Sequence, residues 1–194
     1  MGIAERKGRT RAAREDRIVA AARAIAESEG WAAVTIRRLA DQIEYSQPVL
    51  YSHFANRDAI VAAVAVEGFR ELTHALGEAA GSGGPREALA HVASAYLAFA
   101  LRGPALYQAM FVLPTGLRFA AADTRPELRA AFDALAAVVR PFGSDVDLVT
   151  ETFWAALHGL AELERSSRIR PGLRDARIAL VVRAIADSDG GPQV

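Results

Sequence analysis

The sequence has no cysteine, which excludes disulfide bonds, thiolate metal sites and cysteine nucleophiles. Long apolar runs are also absent, because arginine or glycine interrupts each one, so we expect neither a membrane span nor a secretory signal. A glycine-rich phosphate loop and a G-x-S-x-G motif are both lacking. The paired Glu-x-x-His helices of a di-iron bundle are missing too, since Glu87 lies four positions before His91 and His158 four before Glu162. We therefore expect a cytoplasmic protein that is not an enzyme and has no metal or cofactor.

The residues that are present favour helices. Apolar residues make up 52% of the 194 positions, enough to build a substantial core. Alanine, leucine and arginine are abundant and β-branched runs are few, a composition typical of an all-α fold. We expect a small three-helix unit with a basic N-terminal arm over residues 1–56, followed by a larger helical body over residues 57–194.

Helix boundaries follow from apolar spacing and capping residues. The first part of the chain predicts a helix over 11–29, a short helix capped by Thr35, another capped by Ser46 with Pro48 in its first turn, and a fourth over 57–78 capped by Asn56. The second part predicts helices over 86–101, within 103–114, from the capping box Thr124-Arg125-Pro126-Glu127 to about Pro141, over 145–165 and over 173–188. Loops are expected at 81–85 and 115–123.

Charge is balanced overall but not along the chain. Basic and acidic residues each number 23, for a net charge of zero. Residues 1–14 nevertheless contain five basic residues and one acidic residue, a net charge of +4. A basic arm bearing Arg6, Lys7, Arg9 and Arg11 suits a polyanionic partner such as DNA, in the minor groove or along the backbone. The alternative is a solvated tail without a partner.

The two short helices after residue 35 form the pattern of a helix-turn-helix. They are separated by a three-residue turn, Glu44 to Ser46, and a longer helix precedes them. In such a motif the second helix enters the major groove of DNA. Its start carries the amide of Gln47, the ring of Pro48 and the phenol of Tyr51, groups that discriminate between bases better than charges do. The alternative is a three-helix unit that binds another protein through this polar face.

Other polar groups surround this helix and suit the DNA backbone. The Thr35 hydroxyl stands at a helix start, where N–H groups bind anions. Of Arg37 and Arg38, one is placed for a phosphate and the other for a guanine edge. His53 and Arg57 flank the far end of the recognition helix. The expected DNA-binding set is Thr35, Arg37, Arg38, Ser46, Gln47, Pro48, Val49, Tyr51, His53 and Arg57.

The run VTIRRLADQIEYSQPVLYSHFANRDAIVAAV resembles the DNA-binding region of the tetracycline repressor (TetR) family, and the resemblance extends over about residues 11–70. The matching positions are Thr35, Leu39-Ala40, Leu50-Tyr51, His53-Phe54 and Asn56-Arg57. The resemblance implies that Arg37, Gln47 and Pro48 read bases, and that Thr35, Tyr51, His53 and Arg57 contact phosphates. Two positions depart from the family pattern: Glu44 stands where glycine is usual, which strains a turn needing positive φ, and Arg57 stands where lysine is usual.

Aromatic residues are concentrated in the larger half of the chain. They are expected to line an apolar ligand cavity, a set comprising Tyr96, Phe99, Tyr107, Met110, Phe111, Phe119, Phe132, Trp154 and His158. The alternative for each is an ordinary core position. The segment FWAALHGLAELE resembles the Trp-x-x-x-His-Gly signature of one TetR branch. His158 is accordingly a ligand-facing donor, a satisfied core histidine or a residue at a subunit boundary.

The resemblance also implies an assembly and a mechanism. The last two long helices are expected to pair with a second copy, because a homodimer places two recognition helices about 34 Å apart on successive major grooves. The expected function is a repressor released from a palindromic double-stranded DNA operator by a small apolar or aromatic effector. The alternative is a constitutive or architectural DNA binder whose cavity is filled by its own side chains.

Overall fold

The computed structural model describes residues 2–81 and 83–187, and within these ranges the chain forms only helices, turns and loops. The helices are α1 (Ile3–Glu29), α2 (Ile36–Ile43), α3 (Gln47–His53), α4 (Arg57–Ala80), α5 (Pro85–Arg102), α6 (Pro104–Phe111), α7 (Pro126–Val139), α8 (Val146–Arg165) and α9 (Arg174–Ala186). Short 3₁₀ turns occur at Trp31–Ala33 and Arg140–Phe142. No described helix is long and apolar enough to cross a membrane. The all-α prediction is confirmed. The predicted end of the last helix, Ser188, lies outside the described residues.

Helix α1 begins eight residues earlier than the sequence pattern indicated. The segment predicted to be a basic arm is the N-terminal part of this helix, and Arg6, Lys7, Arg9 and Arg11 all lie on it. Arginine, lysine, glutamate and alanine are good helix formers, and the single unfavourable interior residue, Gly8, costs only about 1 kcal/mol relative to alanine. The basic side chains are therefore presented by a regular helix rather than by an extended arm.

The cap of α7 differs from the sequence prediction. Helix α7 has Arg125 at its N-cap, because Pro126 is its first residue, while the Thr124 hydroxyl accepts the Ala121 N–H at 2.9 Å and closes the preceding turn. Helix α8 is capped by the Asp145 carboxylate, which accepts the Leu148 N–H at 3.1 Å. The capping box predicted at Thr124 was therefore wrong, although the helix that it marked is present.

The described residues divide into two compact units. The first comprises residues up to 68 together with 103–119, and the second comprises 69–102 and the residues from 120 onward. The first unit thus extends past residue 56, where the sequence suggested a boundary, and it includes the start of α4 and all of α6. In the second unit, α5 packs against α7, α8 and α9 around a core that includes Leu89, Val92 and Phe153.

Helix α6 is attached to the first unit by side chains of α1 and of the turn after it. The Glu27 carboxylate accepts the N–H groups of Ala105 (3.1 Å) and Leu106 (2.9 Å), and the Trp31 indole donates to the Ala105 carbonyl at 2.8 Å. A carboxylate at this position satisfies N–H groups that an α-helix leaves unpaired and complements the helix dipole. These contacts explain why α6 belongs with α1 although some 75 residues separate them.

Candidate nucleic-acid interface

The turn between α2 and α3 is built as the sequence predicts, with a strained residue at its start. The Thr35 hydroxyl accepts the Arg38 N–H at 3.1 Å, which confirms the cap of α2. Glu44 ends α2 at φ 57° and ψ 40°, in the left-handed region, and the next N–H, of Tyr45, donates to the Ala40 carbonyl at 3.0 Å. Leu50 of α3 is fully buried, so the recognition helix is held by its inner face.

Replacing Glu44 with glycine is expected to stabilise the protein by about 0.5–1 kcal/mol. A non-glycine residue in the left-handed region costs about 1 kcal/mol or more, and part of the gain is lost to the greater freedom of glycine in the unfolded chain. Glu44→Gln removes the same charge but keeps the strained side chain. Chemical denaturation of both variants separates strain from charge, and an equal gain in both would show that charge repulsion, not backbone strain, is relieved.

The outward face of α3 is polar but uncharged. Ser46, Gln47 and Pro48 are exposed, Val49 is half-buried, and 54% of Tyr51 is exposed. Ser46 occupies the N-cap position without a hydrogen bond from its side chain. An amide, a pyrrolidine ring and a phenol on one accessible helix face have the hydrogen-bonding and apolar groups that direct readout of base edges requires.

The two arginines of α2 differ in their partners. Arg38 makes a 2.7 Å ion pair from Nη2 to the Glu29 carboxylate of α1, and half of its side chain is exposed. Arg37 is exposed, and within residues 2–81 and 83–187 its side chain makes no ion pair. Arg37 is thus the cation of α2 whose charge remains available to a ligand.

His53 and Arg57 make contacts within the protein, and their role as phosphate contacts remains a prediction. The His53 side chain is only 5% exposed, and its Nδ1 lies 3.2 Å from the Glu15 carboxylate. Arg57 donates from Nε to the Val34 carbonyl (2.8 Å) and from Nη2 to the Trp31 carbonyl (2.6 Å). The remaining group of the Arg57 guanidinium, Nη1, lies 3.6 Å from the exposed Asp58 carboxylate, and 37% of the Arg57 side chain is exposed.

The residues predicted to line a ligand cavity are divided between the two units. In the first unit Tyr107 and Met110 are buried, and Phe111 contacts Tyr107 and Phe119 with ring centroids 4.8 and 6.5 Å apart. Phe119 remains 39% exposed. In the second unit Tyr96 and Phe99 are buried, whereas Phe132, Trp154 and His158 are half-buried. The Trp154 indole donates to the Tyr96 hydroxyl at 3.0 Å. The structure thus brings together two smaller groups, and a common cavity remains a prediction.

His158 gives the second unit an expected pH dependence. Burial lowers the pKa of its imidazole below the usual value, and the Glu162 carboxylate opposes this effect. The unfolded chain therefore binds more protons than the folded one near and below about pH 6.5, and stability falls as the pH is lowered through that region. When the pH is lowered from 7.5 to 5.5, we expect the melting temperature of His158→Gln to fall less than the melting temperature of the unsubstituted protein. His74→Gln, at an exposed histidine of α4, is the control, and parallel pH profiles for all three proteins would contradict the prediction.

Comparisons with known proteins agree with this arrangement. Residues 18–64 match a family described as bacterial regulatory proteins of the tetR family, and residues 89–187 match a tetracyclin repressor-like C-terminal domain. An uncharacterized HTH-type transcriptional regulator of Mycobacterium tuberculosis is 29% identical over 154 residues, covering 76% of this chain and 68% of the relative.

Solved structures share the fold over nearly the whole chain. A protein of unknown function from a Rhodococcus species superposes with a TM-score of 0.74 at 24% identity, covering 90% of this chain and 94% of that one. BioQ, solved with its double-stranded DNA operator, has a TM-score of 0.61 at 25% identity, with coverage of 89% and 97%. The regulator PfmR from Thermus thermophilus has a TM-score of 0.60 at 19% identity, with coverage of 88% and 97%.

Proposed function

The chain belongs to the TetR family of bacterial transcriptional regulators, and on that premise we propose that it is a cytoplasmic repressor released from a palindromic operator by a small apolar or aromatic inducer. The family consists of bacterial regulatory proteins, and the Mycobacterium tuberculosis relative and PfmR are transcriptional regulators rather than enzymes. The observation that carries the proposal is the uncharged outward face of α3, with Gln47, Pro48 and the 54% exposed Tyr51. These groups suit direct readout, while the exposed Arg37 supplies charge for the backbone.

A homodimer is part of the proposal. Large apolar side chains on and beside the last two helices are exposed, namely Leu148 (59%), Leu163 (39%), Leu173 (37%) and Leu180 (55%). Burying them against a second copy would remove apolar surface from water, and Ala155 and Gly159 on α8 allow another helix to approach closely. Two copies present two α3 helices, which suits a palindrome whose half-sites are one helical turn apart.

Release by an inducer requires that the inducer bind two conformations of the protein, one that fits the operator and one that does not, with different affinities. An effector shifts the equilibrium only by that difference, typically about 1–3 kcal/mol of coupling. The half-buried Trp154 and His158 and the buried Tyr96 offer an apolar lining with polar tips, which supports an aromatic or apolar ligand. Alternatively, if side chains fill this region completely, the protein is a constitutive or architectural DNA binder, and no small molecule releases it.

Selection from a randomised double-stranded DNA library tests the proposal. We expect a palindromic site bound by two protomers, and we expect Gln47→Ala to relax the selected sequence at one position of each half-site by about 1–3 kcal/mol of discrimination. Enrichment of no sequence above salt-sensitive background binding would overturn the repressor proposal. If a site is found, screening small apolar molecules for release of the bound duplex distinguishes an inducible repressor from a constitutive binder.

A further inference from the structure

A groove lies between the N-terminal half of α1 and the C-terminal end of α3. It has a volume of about 430 Å³ and is lined by Arg6, Lys7, Thr10, Arg11, Arg14, Ser52 and His53. We call these residues the basic groove. The five from α1 recur at intervals of three and four positions, which places them on one side of the helix. Four of those five are cations, so this side of α1 carries a continuous stripe of positive charge.

Most of this charge is not neutralised by the protein. Arg11 is held by two partners, the Glu15 carboxylate at 2.9 Å and the Ser52 carbonyl at 3.3 Å. The side chains of Arg6, Lys7 and Arg14 are exposed, and none of them makes an ion pair within the described part of the chain. Three cations therefore line the groove without an ion-pair partner in the described part of the chain.

The placement of these cations is unfavourable for the isolated protein. Lys7 and Arg11 are four positions apart on one helix, and Arg11 and Arg14 three apart, so like charges repel. Arg6 and Lys7 also lie near the N-terminus of α1, where the helix dipole favours anions and disfavours cations. A solvated helix face normally interleaves acids with bases, whereas here Glu15 pairs with Arg11 alone and Arg6, Lys7 and Arg14 have no acidic partner among the described residues. An anionic ligand would relieve both penalties, and the positive end of the helix dipole would add to its attraction.

The basic groove adjoins the surface that faces bases. Ser52 follows the exposed Tyr51 directly in α3, so the two surfaces meet at adjacent residues of the helix. Arg57, which follows α3, donates from Nε and Nη2 to backbone carbonyls of the protein, and its Nη1 lies 3.6 Å from the Asp58 carboxylate. Arg6, Lys7 and Arg14 of α1 add further positive charge at this end of α3.

We propose that the basic groove binds the phosphodiester backbone of DNA that flanks the bases read by α3, with Arg6, Lys7 and Arg14 as its phosphate contacts. The inference rests on the proposed DNA-binding function and extends it. The groove adds affinity without sequence preference, because phosphates carry no base identity. It also lengthens the stretch of DNA that each protomer requires beyond the half-site itself.

Salt-dependent binding to DNA measures the contacts directly. The triple variant Arg6→Gln, Lys7→Gln, Arg14→Gln is compared with Arg9→Gln, which removes a charge from another side of the same helix. Each lost phosphate contact is expected to reduce the slope of log affinity against log salt by about 0.9 per bound protomer, which is about an eightfold loss of affinity at 0.1 M salt. Arg11 is left unchanged because it also holds the end of α3. Thermal unfolding confirms that the variants are folded.

Two duplexes make the test specific to flanking DNA. On the operator selected from the library with long flanks, the triple variant is expected to bind more weakly with an unchanged sequence preference. On a duplex cut at the last selected base pair, it is expected to bind as the unsubstituted protein does. An unchanged salt slope, or an equal loss per charge in Arg9→Gln, overturns the groove proposal. If the library yields no operator, the repressor proposal fails, and the slopes measured on a random-sequence duplex still decide whether the groove contacts phosphate.

Discussion

Arg57→Ala is expected to lower the free energy of unfolding by about 3 kcal/mol. The guanidinium donates to the carbonyls of Trp31 and Val34, which belong to buried residues of the segment that leads into α2. Hydrogen bonds from a charged donor contribute about 1.5–3 kcal/mol each, and their removal leaves two carbonyls poorly satisfied. Chemical denaturation measures the loss. The same variant should bind DNA weakly, because the segment that positions the cap of α2 is released.

Arg57→Lys distinguishes this structural role from a phosphate contact. Lysine retains the charge but presents a single ammonium in place of a planar fork, so it cannot reproduce both hydrogen bonds in the same geometry. We expect most of the stability loss to persist in Arg57→Lys. If Arg57 served mainly as a phosphate contact, lysine would restore DNA binding, and alanine would reduce the salt dependence of binding without changing stability. That pattern would contradict our interpretation.

Gly68→Ala is expected to destabilise the protein by about 2 kcal/mol, although alanine is the better helix former. Gly68 is buried on α4, and a Cβ at this position would lie 2.6 Å from the Met110 sulfur and 2.9 Å from a Leu106 methyl group of α6. Such distances force the α6 side chains to shift, and because both are almost fully buried we take the upper end, about 3 kcal/mol, of the usual cost of overpacking. The higher helix propensity of alanine relative to glycine offsets about 1 kcal/mol of this cost.

Gly77→Ala on the same helix provides the matched control. Nothing lies within 4 Å of a Cβ built there, so only the helix propensity changes, and we expect a gain of up to about 1 kcal/mol. The two variants should therefore differ by about 3 kcal/mol in equilibrium unfolding. Similar values for both would indicate that the close approach of α4 to α6 contributes little to stability.

Features that depend on neighbouring residues could be predicted from the sequence. The caps at Thr35 and Asn56 are confirmed by hydrogen bonds to N–H groups three residues later, 3.1 and 2.9 Å long. Each cap depends on three or four consecutive residues, so the local residue types contain the information. The left-handed backbone at Glu44 was expected instead from the family resemblance, because glycine is usual at that position.

Features that depend on distant partners could not be predicted in this way. His53 and Arg57 have residue types suited to phosphate, but their acceptors lie 38 and 23–26 positions away and become neighbours only in the fold. The same limit applies to the three N-terminal cations that face α3. Their spacing is visible in the sequence, but it becomes a groove only when α1 is known to continue to residue 3 and to pack beside α3.

The attachment of α6 by Glu27 and Trp31 affects which segments can be exchanged between the genes of such proteins. The chain passes between the two compact units at three places, after residues 68, 102 and 119. A single genetic crossover after residue 56 or 68 would therefore graft a new DNA-binding segment onto the α6 of another protein, with an unmatched surface facing Glu27 and Trp31. Chimaeras that exchange operator specificity should fold better when residues 103–119 are transferred together with the N-terminal segment. The compact unit that contains the helix-turn-helix is thus discontinuous along the sequence.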